Sequence, residues 1–164
     1  TFEDLTYEIY GPGGEALLLE LSTDNRNRTA AEIRSLLTKG GGSMATAGAV
    51  ARLFQRKGQI IIARDAAEED ALMELALEAG AEDFRAEPEG YEILTDPAHF
   101  EPVHRKVEAK GIRCEAAEVS WLPNLTVPVA PSDAPAIQRL IDALEEHADV
   151  KGVHHNAELP SEGA

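Results

Sequence analysis

Glycine punctuation constrains the fold of this chain most. Five stretches with strand or helix patterning run into glycine or a glycine–proline cluster, at Gly11-Pro12-Gly13-Gly14, Gly40-Gly41-Gly42, Gly80, Pro88-Glu89-Gly90 and Gly111. Glycine reaches positive φ without steric cost and proline lacks an N–H, so these clusters end elements and fix their order. Residues 59–64 read as a strand, and 66–79 as a helix with Leu72, Leu75, Ala76 and Ala79 on one face. Residues 83–87 and 91–94 read as two short strands, 98–110 as a second helix and 113–121 as a last strand. That order is βαββαβ, the ferredoxin-like arrangement in which two helices cover one face of an antiparallel sheet.

The flanking segments follow another pattern. Residues 7–10 and 16–22 are rich in Tyr, Ile and Leu on either side of the first glycine cluster, which predicts a hairpin. Thr29-Ala30-Ala31-Glu32 matches a capping box, Ile33, Leu36 and Leu37 continue as a helical stripe, and 47–55 can return as a strand. Residues 126–129 read as a strand, 132–147 as a helix capped by Ser132 or Asp133, and 150–155 as a closing strand. This last segment is too small to stand alone, so it is expected to complete a sheet with the N-terminal one. The reading is α+β, with two α/β sandwich domains: residues 1–56 plus 126–164, and a ferredoxin-like module over 57–125 inserted between them. A chain of 164 residues is long enough for a core without staples. The tail, 159–164, is expected to be disordered.

Charge gives the first functional signal. The chain carries 15 basic and 30 acidic side chains, a net charge of −15, which argues against whole-surface attraction to nucleic acid. The middle segment, with 7 basic and 16 acidic residues, is the most acidic. Residues 25–57 are the exception: Arg26, Arg28, Arg34, Lys39, Arg52, Arg56 and Lys57 face one acid, Glu32, a local charge of +6. Within this stretch Asn25-Arg26-Asn27-Arg28 sits just before the expected helix start, where positive charge opposes the helix dipole. Arginine forks suit phosphate and stack on bases, so a polyanion contact outweighs mere pairing of these arginines with the acidic module.

Catalytic and metal readings are weaker. His99 and His104 are five residues apart and His154 and His155 adjacent, so neither pair converges on a helix or strand face, and surface histidines are expected. There is no Gly-x-Ser-x-Gly elbow or His-Glu-x-x-His motif. Lys39-Gly40-Gly41-Gly42-Ser43 inverts the order a nucleotide-binding loop needs, leaving a helix-stopping linker or a phosphate contact. The lone Cys114 excludes an internal disulfide and reads as an inert thiol. No catalytic residue, metal site or cofactor is expected. No apolar run approaches the ~18 residues of a membrane span, so a soluble protein is expected. Starting at Thr1 directly before strand-like sequence, the chain reads as a processed or truncated piece.

Tyr7-Glu8 with Tyr10-Gly11-Pro12-Gly13-Gly14, Thr23 to Thr29, Gly48-Ala49-Val50, Phe54 with Arg56-Lys57-Gly58, Glu78 to Asp83 and Leu140 to Asn156 resemble the YebC/PmpR family. Its mitochondrial branch is a translational activator of cytochrome oxidase subunit I. The resemblance implies the second and third of three domains, without the basic helical N-terminal domain that opens with a Gly-His-Ser-Lys-Trp sequence. It implies a non-enzymatic regulator of gene expression: a translation factor contacting RNA or the ribosome, or alternatively a transcriptional regulator binding promoter DNA. Location would be bacterial cytoplasm or, in an organellar homologue, the mitochondrion. Small-molecule sensing by the ferredoxin-like module is a further alternative, by fold analogy alone. Ile9, Glu15 and Ala148 depart from the usual glycine, apolar residue and acid of the family.

Overall fold

The computed structural model describes residues 1–159, and the expected tail from residue 160 on lies outside them. The chain forms two compact units, Thr1–Gln55 with the segment from Leu122 on, and Arg56–Trp121. Mixed helices and mostly antiparallel sheets make it α+β.

The first unit begins with the expected hairpin. Strands β1 (Glu3–Tyr10) and β2 (Ala16–Thr23) pair antiparallel over their full length, from Glu3 opposite Thr23 to Tyr10 opposite Ala16. Helix α1 (Arg26–Gly40) and the two-residue strand β3 (Ser43–Met44) follow, and helix α4 (Ala134–Glu146) and strand β9 (Val150–His155) complete the unit. The sheet order is β3-β1-β2-β9. Side chains alternate along a strand, so Ile9, Leu17, Leu19 and Leu21 share one face. There they meet Ile33 and Leu37 of α1 and Ile137, Leu140 and Leu144 of α4. Strands β8 (Val127–Pro128) and β10 (Ala157–Glu158) form a separate parallel pair. Glu15 is fully buried beside the hairpin turn, where one carboxylate oxygen accepts the Gly13 N–H at 2.9 Å.

The other face of this sheet corrects the expected strand over 47–55. Glu8 points to that face, and its carboxylate accepts the N–H groups of Gly48, Val50 and Ala51 at 2.7, 2.9 and 2.7 Å. Three amides converging on one carboxylate require a turn; Gly48 supplies it at φ +86°, and a 3-10 turn at Ala51–Leu53 follows. Burial disfavours charge on Glu8, but these three donors outweigh it and hold the carboxyl below its ordinary value.

The second unit contains most of strand β4 (Phe54–Ala63), helix α2 (Glu69–Ala79), strands β5 (Asp83–Glu87) and β6 (Gly90–Thr95), helix α3 (Phe100–Ala109) and most of strand β7 (Ala116–Pro123). The expected βαββαβ order is present, with sheet order β5-β6-β4-β7. Ile60, Ile62 and Ile93 pack against Leu72 and Ala76 of α2 and Val103 and Val107 of α3. Both helices start later than the patterning suggests, because 3-10 turns at Arg64–Ala66 and Pro97–His99 precede them. Cys114 is half-buried, and burial raises its thiol above the ordinary value, aided by Glu108, consistent with an inert thiol.

Gly90 opens β6 with its Cα against the main chain of β4, and an added Cβ would collide with the Ile62 carbonyl oxygen. The obstructing atoms belong to the β4 backbone, which leaves little room to relax. Gly90→Ala is expected to destabilise the protein by about 1–3 kcal/mol in urea denaturation, the usual cost of overpacking. An unchanged midpoint would contradict the packing described.

Candidate nucleic-acid interface

The start of α1 corrects the expected capping box. Asn25, not Thr29, is the N-cap: its side-chain oxygen accepts the Arg28 N–H at 3.0 Å, which places Arg26 and Arg28 in the first helical turn. Thr29 lies inside the helix and is fully buried. Its hydroxyl is 2.7 Å from Asp149 Oδ2 and 2.7 Å from the Thr23 hydroxyl. A carboxylate only accepts, so Thr29 donates to Asp149 and accepts from Thr23.

Asp149 is the centre of this network. Arg28 donates to the same oxygen at 2.6 Å, and its guanidinium also lies 3.8 Å from Asp24 and 3.6 Å from Glu32. The Thr29 hydrogen bond holds the Asp149 carboxyl below its ordinary value; burial opposes this and Arg28 reinforces it. The Asp149 hydrogen bond in turn raises Arg28. The Asp149 N–H donates to His147 Nδ1 at 3.1 Å, so the ring proton resides on Nε2, which faces Glu32 at 2.9 Å. Ligand atoms of Glu32, His147 and Asp149 lie within 4.8 Å of one another, but Arg28 and Thr29 already occupy the Asp149 oxygen. The cluster is an ion-pair network. Arg26 pairs with Glu3 at 3.2 Å, so both first-turn arginines are matched by acids of their own unit and not by the acidic module.

The expectation of surface histidines holds for His99, which is exposed, and needs correction elsewhere. The side chains of His147 and His154 are 13% and 15% exposed, and His154 lies 2.7 Å from Glu20. Burial lowers His155 below its ordinary value.

Of the remaining cations of the basic stretch, Lys57 binds Glu82 at 2.7 Å within the second unit. Arg34, Lys39, Arg52 and Arg56 are exposed and make no ion pair among the described residues. The three in the first unit do not share one surface. Arg34 and Lys39 ride on α1, over the core face of the sheet, whereas Arg52 belongs to the turn held by Glu8 on the opposite face. Arg56 and Lys57 belong to the second unit, and Asn27 is exposed at the start of α1.

The helix layer supplies a residue that charge counting along the chain misses. Between α1 and α4 runs a groove of about 510 Å³ lined by Pro12, Leu36, Lys39, Gly40, Arg139 and Leu140, among others. Gly40 permits the close approach, since a Cβ there would come within 2.9 Å of Leu140 Cδ1. Arg139 is exposed and, like Lys39, makes no ion pair among the described residues. Its signal is faint: a lone arginine on the polar flank of an amphipathic helix in an acidic segment.

Residues 2–157 match the family described as TACO1/YebC second and third domain. The chain belongs to this family. Its relatives include a "Probable transcriptional regulatory protein" of Pelotomaculum thermopropionicum, 48% identical over 160 residues, covering 96% of this chain and 66% of the relative. Another protein of that name, from Clostridium novyi, is 47% identical, covering 99% of this chain and 66% of the relative. A conserved hypothetical protein from Aquifex aeolicus is similar in structure, with a TM-score of 0.84 and 40% identity over 98% of this chain and 67% of the other. This YebC-family chain thus spans about two thirds of the length of its curated relatives. The family supports a regulator of gene expression, and no helix among the described residues is long and apolar enough to cross a membrane.

The network at Asp149 predicts an acid limb in stability. A carboxyl whose folded pKa is depressed contributes stability above its unfolded value, about 3.9, and loses that contribution as pH falls through the folded value. Asp149→Asn is expected to lower the urea midpoint at pH 7, with the gap to the parent protein closing below about pH 4. A gap equal at pH 7 and pH 3 would contradict the assignment.

Proposed function

We propose that this chain is a non-enzymatic regulator of gene expression that acts as a translation factor through RNA, on or off the ribosome. One observation carries the reading: in a family of regulatory proteins, a chain of net charge −15 keeps Arg34, Lys39, Arg52 and Arg56 exposed and without an ion pair among the described residues. Unpaired cations bind phosphate without first breaking an ion pair, so these four are the primary contacts. Arg26, Arg28 and Lys57 each hold an acid already and contribute less, while Asn25 shapes the helix start and Asn27 lies exposed beside it.

A second reading is promoter DNA binding, favoured by the relatives' name, "Probable transcriptional regulatory protein". Duplex readout needs an element shaped for a groove. Among the described residues α1 leads into β3 and α4 into β9, so no two consecutive helices are joined by a short turn there.

Co-sedimentation with ribosomes in competition with promoter duplex tests the two readings. Displacement from ribosomes by RNA and not by duplex is expected; displacement by duplex alone would establish the DNA reading. With four phosphate contacts the log affinity falls against log salt with a slope of about −2.8 to −3.6. Arg34→Gln/Lys39→Gln is expected to weaken binding more than Arg26→Ala/Arg28→Ala. A salt-independent affinity, or the reverse ranking, would contradict the proposed contacts.

A further inference from the structure

We propose that the groove between α1 and α4 is a seat for single-stranded RNA, with Lys39 and Arg139 holding a phosphate and the apolar floor receiving a base. The inference rests on the RNA reading above and adds a site to it.

The groove differs in kind from two other cavities among the described residues. One, of about 450 Å³, is rimmed by Glu68, Glu74 and Glu78 against a single Lys110. Another, of about 500 Å³, is rimmed by Glu87, Glu89, Glu92 and Glu115 with no cation. Such walls repel phosphate. The α1–α4 groove instead has one cation from each helix and no carboxylate in its lining. Neither Lys39 nor Arg139 is drawn to an acid among the described residues, although acids outnumber bases two to one in the chain.

The floor suits a flat ring. Leu36 and Ala143 offer apolar surface over the buried Leu140, and Gly40 and Gly41 let the end of α1 close onto Leu140 and Pro12. Bases bury their faces against apolar or aromatic surface whatever their identity, while backbone phosphates are held by exposed cations. Arginine provides the planar fork and lysine the point charge, a pairing that grips phosphate without reading sequence. The charge complementarity therefore commits the groove to an anionic, ring-bearing polymer.

The test is fluorescence anisotropy of the intact chain with a labelled single-stranded oligouridylate, compared with Lys39→Gln, Arg139→Gln and the double variant. Lys151→Gln serves as control, since Lys151 is exposed and pairs with Asp4. All substituted side chains are exposed, and thermal denaturation verifies that each variant folds. The double variant is expected to bind at least tenfold more weakly and to flatten the salt slope by about 0.7, as one lost phosphate contact to a single strand requires. Lys151→Gln should stay within twofold of the parent. Undiminished RNA binding by the double variant would overturn the groove and leave the RNA reading standing. No RNA binding by the parent chain at low salt would overturn both. A labelled Glu/Leu peptide that binds in the groove more tightly than RNA, and is lost in the double variant, would assign the site to an acidic protein instead.

Discussion

One carboxylate, Asp149, ties the first unit together. Its side chain accepts hydrogen bonds from the Thr29 hydroxyl and the Arg28 guanidinium, and its carbonyl oxygen accepts the Ser22 N–H at 2.9 Å. It thus joins the end of β2, the start of α1 and the turn before β9, from parts of the chain 120 residues apart. The positive first turn of α1, unfavourable against the helix dipole, is tolerated because these acids neutralise it. With that end fixed, α1 and α4 lie side by side on the sheet, and the groove between them follows from their spacing.

Much of the fold is legible in the sequence because its determinants are local. The βαββαβ order follows from glycine closures and from apolar runs such as Ile60–Ile62, and β9 occupies the residues its pattern marks. What is not legible depends on partners remote in sequence. Thr29 satisfies the local rule for a cap as well as Asn25 does; a carboxylate far along the chain draws Thr29 into the helix instead. Residues 47–53 look like a strand until Glu8, forty residues earlier, gathers their amides.

The candidate surface shows the same division. Counting charge along residues 25–57 gathers the cations in sequence but cannot see that Arg26 and Arg28 are matched by acids or that Arg52 lies on the other side of the sheet from Lys39. It also passes over Arg139, which an acidic stretch of sequence hides and the packing of α4 beside α1 reveals. Electrostatic availability, not local net charge, separates side chains that shape the fold from those free to bind.

Amide chemical-shift mapping of the chain during titration with single-stranded RNA tests that claim most directly. The largest shifts are expected along the exposed α1–α4 layer, at Lys39, Gly40, Gly41 and Arg139, with the Asn25 to Arg28 cap little perturbed. Shifts concentrated at Arg26 and Arg28 or in the acidic second unit, with the helix layer silent, would contradict it.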